Sequence, residues 1–355
     1  AEYFRNLKLI KKDCPCRSKS REENLQDFEK MFSEFSEGQA VLRLKTSMQD
    51  PNPALRDPPL LRIVDVQHPR MPGYRVWPLY NFVCSIEDHF EGITHIFRAK
   101  EHEHNTAVQA KVYDAFGWKM PMVINFGMIH LPGAKIHKRE IKRMFEEGKI
   151  SGWDDVSLPT VRALLRRGFQ PEAFKELAIY CGLSKADIKL SWENLEGINR
   201  KIIDPVANRY MVVLDPVKIR IPDIDLKEVR LKRHPDFPER GERKIPVDTS
   251  RIWIERSDLH RLRGKSCRLI GLGNVKLDFE SKWLGDEIVK DMPKIHWVSE
   301  PHVSIKLLKP NETRKGIGEP ELANAKKGDI IQMERIGFGK IDAVAKDIII
   351  AWAHK

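Results

Sequence analysis

The sequence has 355 residues, which at roughly 100–200 residues per domain predicts two or three domains, each with a core of its own. With 41% hydrophobic and 32% charged residues, and no apolar run near the ~20 residues of a membrane-spanning helix, it is neither a wholly disordered chain nor a helical membrane protein. Lys and Arg outnumber Asp and Glu by 62 to 51, a formal charge of +11 that lies mostly in residues 201–355 and suits a polyanionic partner.

The chain starts Ala1-Glu2-Tyr3-Phe4, without an initiator Met, a signal peptide or an Arg-rich presequence. The expectation is a cytoplasmic protein, and a piece of something longer. Five Cys are an odd number and make no disulfide framework. Cys14-Pro15-Cys16 could give two thiolates to zinc, but a closed site takes four ligands. Zinc is therefore expected only if further ligands lie upstream of Cys14 and Cys16; no other metal site is expected.

In chain order, apolar residues at spacings of three and four (Phe28, Met31, Phe32, Phe35) predict a helix over 21–35. Strands follow at 41–45 and 61–66, with the Pro-rich stretch 51–59 as a loop between them. Residues 74–130 alternate: a helix near 83–90, a strand at 94–97, a helix at 106–116 and a strand at 122–126, the pattern of parallel α/β architecture. Helices are predicted at 158–167, 171–181 and 184–200, with Pro159 and Pro171 near first turns. From about Tyr210 the period becomes two, and short strands around 211–214, 217–221, 252–254, 267–270, 275–279, 303–307, 330–333 and 348–352, with no helix between them, predict barrels or sandwiches.

Three stretches carry a family resemblance. Gly92-Ile93-Thr94-His95-Ile96-Phe97-Arg98-Ala99-Lys100-Glu101-His102 resembles the segment opening the second half of the Rossmann fold in class I glutamyl- and glutaminyl-tRNA synthetases. Gly152-Trp153-Asp154-Asp155, then Pro159-Thr160-Val161-Arg162 and Arg166-Arg167-Gly168, resembles their stem-contact segment. Ile203-Asp204-Pro205-Val206-Ala207, Leu214-Asp215-Pro216-Val217-Lys218-Ile219, Ile252-Trp253-Ile254-Glu255-Arg256 and Ile295-His296-Trp297-Val298-Ser299 resemble the entry to their anticodon-binding β-barrels.

The resemblance implies an α/β plus all-β chain. Residues 1–75 would be the remnant of an acceptor-end-binding insertion and 76–145 the second half of a Rossmann-like catalytic domain. Residues 146–205 would form a helical stem-contact module and 206–355 two anticodon-binding β-barrels. No His-x-Gly-His signature of the first Rossmann half is present, so the expectation is a chain lacking its N-terminal portion, able to bind tRNA but unable alone to adenylate glutamate.

Residue roles follow from the same resemblance. Ile129 to Arg139 occupies the place of the KMSKS loop, with His137 where the family usually has Ser. Lys138 is the expected catalytic cation, supported by Lys135 and Arg139, with Leu131, His137 and Lys138 at the ATP. A flexible loop bearing an ammonium and a guanidinium can follow charge developing on phosphates. Tyr80, in Tyr80-Asn81-Phe82, and Cys84 would line the amino-acid pocket. Arg98 stands where glutamyl enzymes hold an Arg against the substrate's γ-carboxylate, a group a guanidinium clamps through two hydrogen bonds and an amide does not match. Its alternative is a structural ion pair with a carboxylate such as Glu101.

Arg162, Arg166 and Arg167, with Lys232-Arg233 and Lys326-Lys327, are expected phosphate contacts. Trp253, Trp283, Trp297 and Phe338 are available for stacking on splayed bases, or for core packing. The expected partners are ATP with Mg²⁺, L-glutamate and tRNA(Glu), for a monomer of the archaeal and eukaryotic type. The sequence leaves open whether tRNA(Gln) is also charged, and two alternatives stand beside this reading: a glutaminyl-tRNA synthetase and a non-catalytic tRNA-binding protein derived from a synthetase.

Overall fold

A computed structural model describes residues 2–134 and 137–355. The chain forms two compact units, Ala1–Ile129 with Leu183–Ile188, and His130–Gly182 with Lys189–Lys355. Among the described residues no helix is long and apolar enough to cross a membrane.

In the first unit, helix α1 (Glu2–Leu9) precedes α2 (Arg21–Ser33). Ser20 starts α2 through a capping box, accepting from Glu23 N at 3.1 Å while Glu23 accepts from Ser20 N at 2.7 Å. Strands β1 (Val41–Arg43), β2 (Pro59–Ile63) and β3 (Val76–Pro78) form an antiparallel sheet. The Pro-rich stretch before β2 contains a turn of 3-10 helix, Pro53–Leu55, started by Asn52 accepting from Ala54 N at 3.0 Å. Beyond the sheet come α3 (Tyr80–Phe90), β4 (His95–Ala99), α4 (Glu103–Phe116) and β5 (Met122–Phe126). Strands β4 and β5 pair in parallel, Arg98 beside Asn125, and α4 is the crossover such a pair requires. Gly117 ends α4 at φ +67, a left-handed conformation cheap only for Gly.

Residues 183–188 belong to this unit rather than to a helix. The helix expected at 184–200 starts only at Trp192, because Ser184 and Asp187 accept backbone N–H groups in a non-helical arrangement: Ala186 N donates to Ser184 Oγ at 3.1 Å, and Met128 N, distant in the sequence, donates to Asp187 Oδ1 at 2.8 Å. Ser184 O also takes Gly127 N at 2.7 Å, and a Cβ on Gly127 would lie 2.1 Å from Ala186 O. Only Gly permits this approach.

The second unit carries α5 (Lys138–Glu146), α6 (Val161–Arg167), α7 (Pro171–Cys181), α8 (Trp192–Ile203) and α9 (Arg256–Leu262). Thr160 caps α6, accepting from Ala163 N at 3.1 Å, so Pro159 lies before the cap and not in the first turn. Pro171 is in the first turn of α7. Two cores follow. In the first, strands Pro216–Ile219, Ile252–Glu255 and Trp297–Ser299 and a second sheet around Ser266–Leu269 and Gly273–Lys276 bury Ile219, Ile254, Val275 and Trp297. Helix α9 lies within this region, where strands alone were expected.

In the second core a seven-stranded sheet runs in the order Asn208–Tyr210, Ile330–Met333, Gly337–Val344, Ile348–His354, Val303–Leu308, Thr313–Gly318, Val212–Val213. Its two edge strands are successive in the chain, so the sheet is nearly closed, which leaves little exposed edge. The helices are tied to it: Asn199, fully buried, accepts from Gln170 N at 2.8 Å and meets His354 Nε2 at 3.0 Å.

Candidate functional site

On α3, Tyr80, Cys84 and Asp88 recur every four residues and share one face. Tyr80 is half exposed. Burial pushes the Cys84 thiol above its usual range, as does the charge of Asp88, while Arg98 and the Tyr80 hydroxyl pull it back. Burial likewise raises Asp88, with Arg98 opposing. These effects bring Cys84, Asp88 and Arg98 to one locality. Arg98 is partly exposed, and its Nη1 donates at 2.9 Å to Oε1 of Gln109 on α4. Among the described residues it makes no ion pair, so the alternative of a pairing with Glu101 is not realised. Gln109 has no sequence signature, since a Gln inside a helix is marked only by its burial.

In the second unit, Leu131 begins a tight turn with Gly133 at φ +71, held where Trp192 Nε1 donates to Pro132 O at 2.8 Å. Lys135 lies outside the described residues. His137 precedes the first turn of α5, its backbone N donating to Glu140 at 3.0 Å. Lys138 and Arg139 are the first two residues of α5, both exposed, and make no ion pair among the described residues. Two cations there oppose the helix dipole, a local cost that an anion at the same N-terminus would reverse.

The three stem-segment arginines divide. Arg162 is exposed and unpaired among the described residues. Arg166 pairs with Asp342 at 2.7 Å, at the side of an 870 Å³ groove that Lys327 and Lys340 also line. Arg167 is only 7% exposed and donates to Trp352 O at 2.9 Å and Ala353 O at 2.7 Å; burial lowers it to about 10. The phosphate-contact expectation for Arg167 is corrected: its guanidinium ties α6 to the last strand. Arg233 pairs with Glu321, while Lys326 and Lys327 are exposed.

Of the aromatic candidates, Trp297 and Phe338 are core residues, Trp297 donating to Ile270 O at 2.9 Å. Trp283 lies over Gly273, where a Cβ would be 2.0 Å from its ring. Trp253 is partly buried, its ring 5.1 Å from His302. Phe279 was not anticipated: half exposed, it has the Arg263 guanidinium 5.1 Å from its ring centre, a surface on which a base could stack.

No group of three or more His, Cys, Asp or Glu is placed to hold a metal among the described residues. Cys14 and Cys16 are free and partly exposed, with Arg43 Nη2 3.0 Å from the Cys16 sulfur and 3.9 Å from that of Cys14. A pair with a guanidinium against it does not by itself fit a closed zinc site.

Residues 2–205 match the family described as tRNA synthetases class I (E and Q), catalytic domain, and residues 207–290 and 294–342 match two anti-codon binding domains of the same class. A glutamate-tRNA ligase of Pyrococcus furiosus is 42% identical over 372 residues, covering 100% of this chain and 65% of the relative. One of Methanocaldococcus jannaschii is 38% identical, covering 100% of this chain and 66% of the relative. A solved glutamate tRNA ligase from Elizabethkingia meningosepticum is 19% identical with a TM-score of 0.32, over 54% of this chain and 43% of that one. The chain thus spans about two thirds of the curated relatives' length. The catalytic-domain match covers more than half of the chain, and the chain belongs to the class I tRNA synthetases of the glutamate and glutamine type.

Proposed function

We propose that this chain takes part in the ATP-dependent ligation of L-glutamate to its tRNA, contributing the amino-acid pocket, the KMSKS-like loop and the tRNA-binding regions. The observation that carries the reading is Arg98, a partly exposed guanidinium held by a neutral amide, which binds a carboxylate side chain more strongly than a carboxamide. Relatives named glutamate-tRNA ligase support it.

In this reading an oxygen of glutamate's α-carboxylate attacks the α-phosphorus of ATP. An O–P bond forms, pyrophosphate leaves, and glutamyl-adenylate remains. A hydroxyl of the tRNA's terminal adenosine then attacks the acyl carbon, losing its proton as AMP departs. Arg98 orients the substrate through its side-chain carboxylate, with Tyr80 and Cys84 beside it. Lys138 and Arg139, at the N-terminus of α5, supply positive charge to the phosphates, with Leu131 and His137 at the nucleotide and Lys135 in support. Mg²⁺ bound with ATP supplies further neutralisation of phosphate charge. Residues 1–75 serve the acceptor end and 76–145 the catalytic domain. Residues 146–205, with Arg162, contact the tRNA stem, and 206–355 read the anticodon. The protein acts as a cytoplasmic monomer.

The test is aminoacylation by the complete gene product, with tRNA(Glu) and tRNA(Gln) and with glutamate or glutamine. Glutamate transfer to tRNA(Glu) is expected. Preferential use of glutamine, or tight tRNA binding with no charging by either amino acid, would overturn the reading, and tRNA(Gln) shows whether the second tRNA is also accepted.

A further inference from the structure

Arg98 is held in an unusual way for a half-buried arginine. Its partner Gln109 is 1% exposed and is itself fixed, its Nε2 donating to Asn81 Oδ1 at 3.4 Å. Asn81 Nδ2 donates to Asn105 Oδ1 at 3.1 Å, and Asn105 Nδ2 lies 3.0 Å from His102 Nδ1. The chain of contacts from Arg98 to His102 contains no carboxylate.

A carboxylate in place of the Gln109 amide would be isosteric and would bind the guanidinium more strongly, since hydrogen bonds between ions are about twice as strong as neutral ones. It would also cancel the charge. The amide fixes the direction of the guanidinium and leaves the charge uncompensated. Asp88, the carboxyl whose charge Arg98 feels, forms no ion pair with it among the described residues, and burial there disfavours the ionised form. On β5, Asn125 is Arg98's register partner and lies on the same face of the sheet. Its side-chain N–H group is buried and has no hydrogen-bond partner among the described residues. Two adjacent donors with unfilled capacity call for a ligand that only accepts.

We propose that Gln109, aligned by Asn81, is a positioning and specificity-determining residue that aims Arg98 at the substrate's side-chain carboxylate while leaving its charge uncancelled. The inference rests on the reading of Arg98 as the glutamate-binding residue. In Gln109→Glu the introduced carboxylate occupies the guanidinium in competition with substrate.

The test is steady-state aminoacylation by the complete gene product carrying Gln109→Glu, Gln109→Met or Arg98→Ala, with KM measured for glutamate, ATP and tRNA and melting temperature recorded. Gln109→Glu is expected to raise the glutamate KM by about tenfold or more, as loss of one charge-assisted contact implies. Its KM for ATP and tRNA should stay within about twofold, and the variant should remain folded. Gln109→Met, which removes the aim but adds no charge, should raise the glutamate KM less. Unchanged glutamate KM in a folded Gln109→Glu overturns the inference if Arg98→Ala still impairs glutamate use. If Arg98→Ala leaves glutamate use intact, the reading of Arg98 itself fails.

Discussion

Arginine is used in opposite ways around α3, β4 and α4 and at the junction of the two β-rich cores. At the junction, Arg243 and Glu319 are both essentially inaccessible, with Nε and Oε1 2.8 Å apart. Glu319 also accepts Met211 N at 2.8 Å and donates its own N to Met211 O at 3.0 Å. Nearby, Arg335, at φ +65 between strands of the second core, grips the buried Asp258 of α9 in the first through both terminal nitrogens, while Arg261 takes the same carboxylate. Burial would raise Asp258, but the guanidiniums hold it below the usual carboxylate range. These arginines are neutralised and fix one core on the other. Among the described residues Arg98 has only the Gln109 amide. Arg167 also meets only neutral acceptors among those residues, the carbonyls of Trp352 and Ala353, but is buried, so a neutral acceptor leaves a guanidinium available to a ligand only where, as at Arg98, it stays partly exposed.

The comparison breaks if the junction pairs contribute nothing. The largest effect is expected above about pH 7, where Glu319 is ionised, for Glu319→Ala, which there strands Arg243 as a buried, unpaired charge and should cost about 3–5 kcal/mol in urea unfolding. Asp258→Ala, releasing two more accessible arginines, should cost roughly 2 kcal/mol by the same measurement. The pH dependence sharpens the point. Burial pushes Glu319 up to about 7 despite Arg243 beside it. A carboxyl raised in the folded state stabilises fully below its unfolded value, near 4.5, and that contribution is lost as pH rises through about 7. Wild type should therefore lose stability relative to Glu319→Gln between those values, read from paired denaturation curves across pH. The smallest effect belongs to the exposed Arg162. Arg162→Ala should weaken tRNA binding and reduce the salt dependence by about one phosphate contact, with no change in unfolding, while Arg167→Ala should act on unfolding first.

Much of this was legible from sequence, for reasons that differ by element. Met122–Phe126 and Ile330–Met333 are apolar runs bounded by turn residues, and both fall where predicted. Helix α9 has seven residues, too few for a helical period to stand out between strands. The hairpin Glu228–Lys232 with Glu242–Pro246 hides its alternation among charged residues. Tyr80, Arg98 and Lys138 stood out through the motifs around them. Arg166 and Arg167 read alike in sequence, yet a helix turns about 100° per residue, which sends one to the groove and the other under the last strand. Gln109 was invisible because its role comes from a partner on another element, which no local pattern encodes.

The central claim, that Arg98 is held in place yet left charged for substrate, is tested most directly by measuring glutamate kcat/KM and unfolding free energy together in Arg98→Ala. The account predicts a fall in kcat/KM of about a hundredfold, the worth of a lost bidentate ionic contact, with the stability of wild type retained. A variant that loses stability as Glu319→Ala or Asp258→Ala does, while using glutamate as well as wild type, would contradict it.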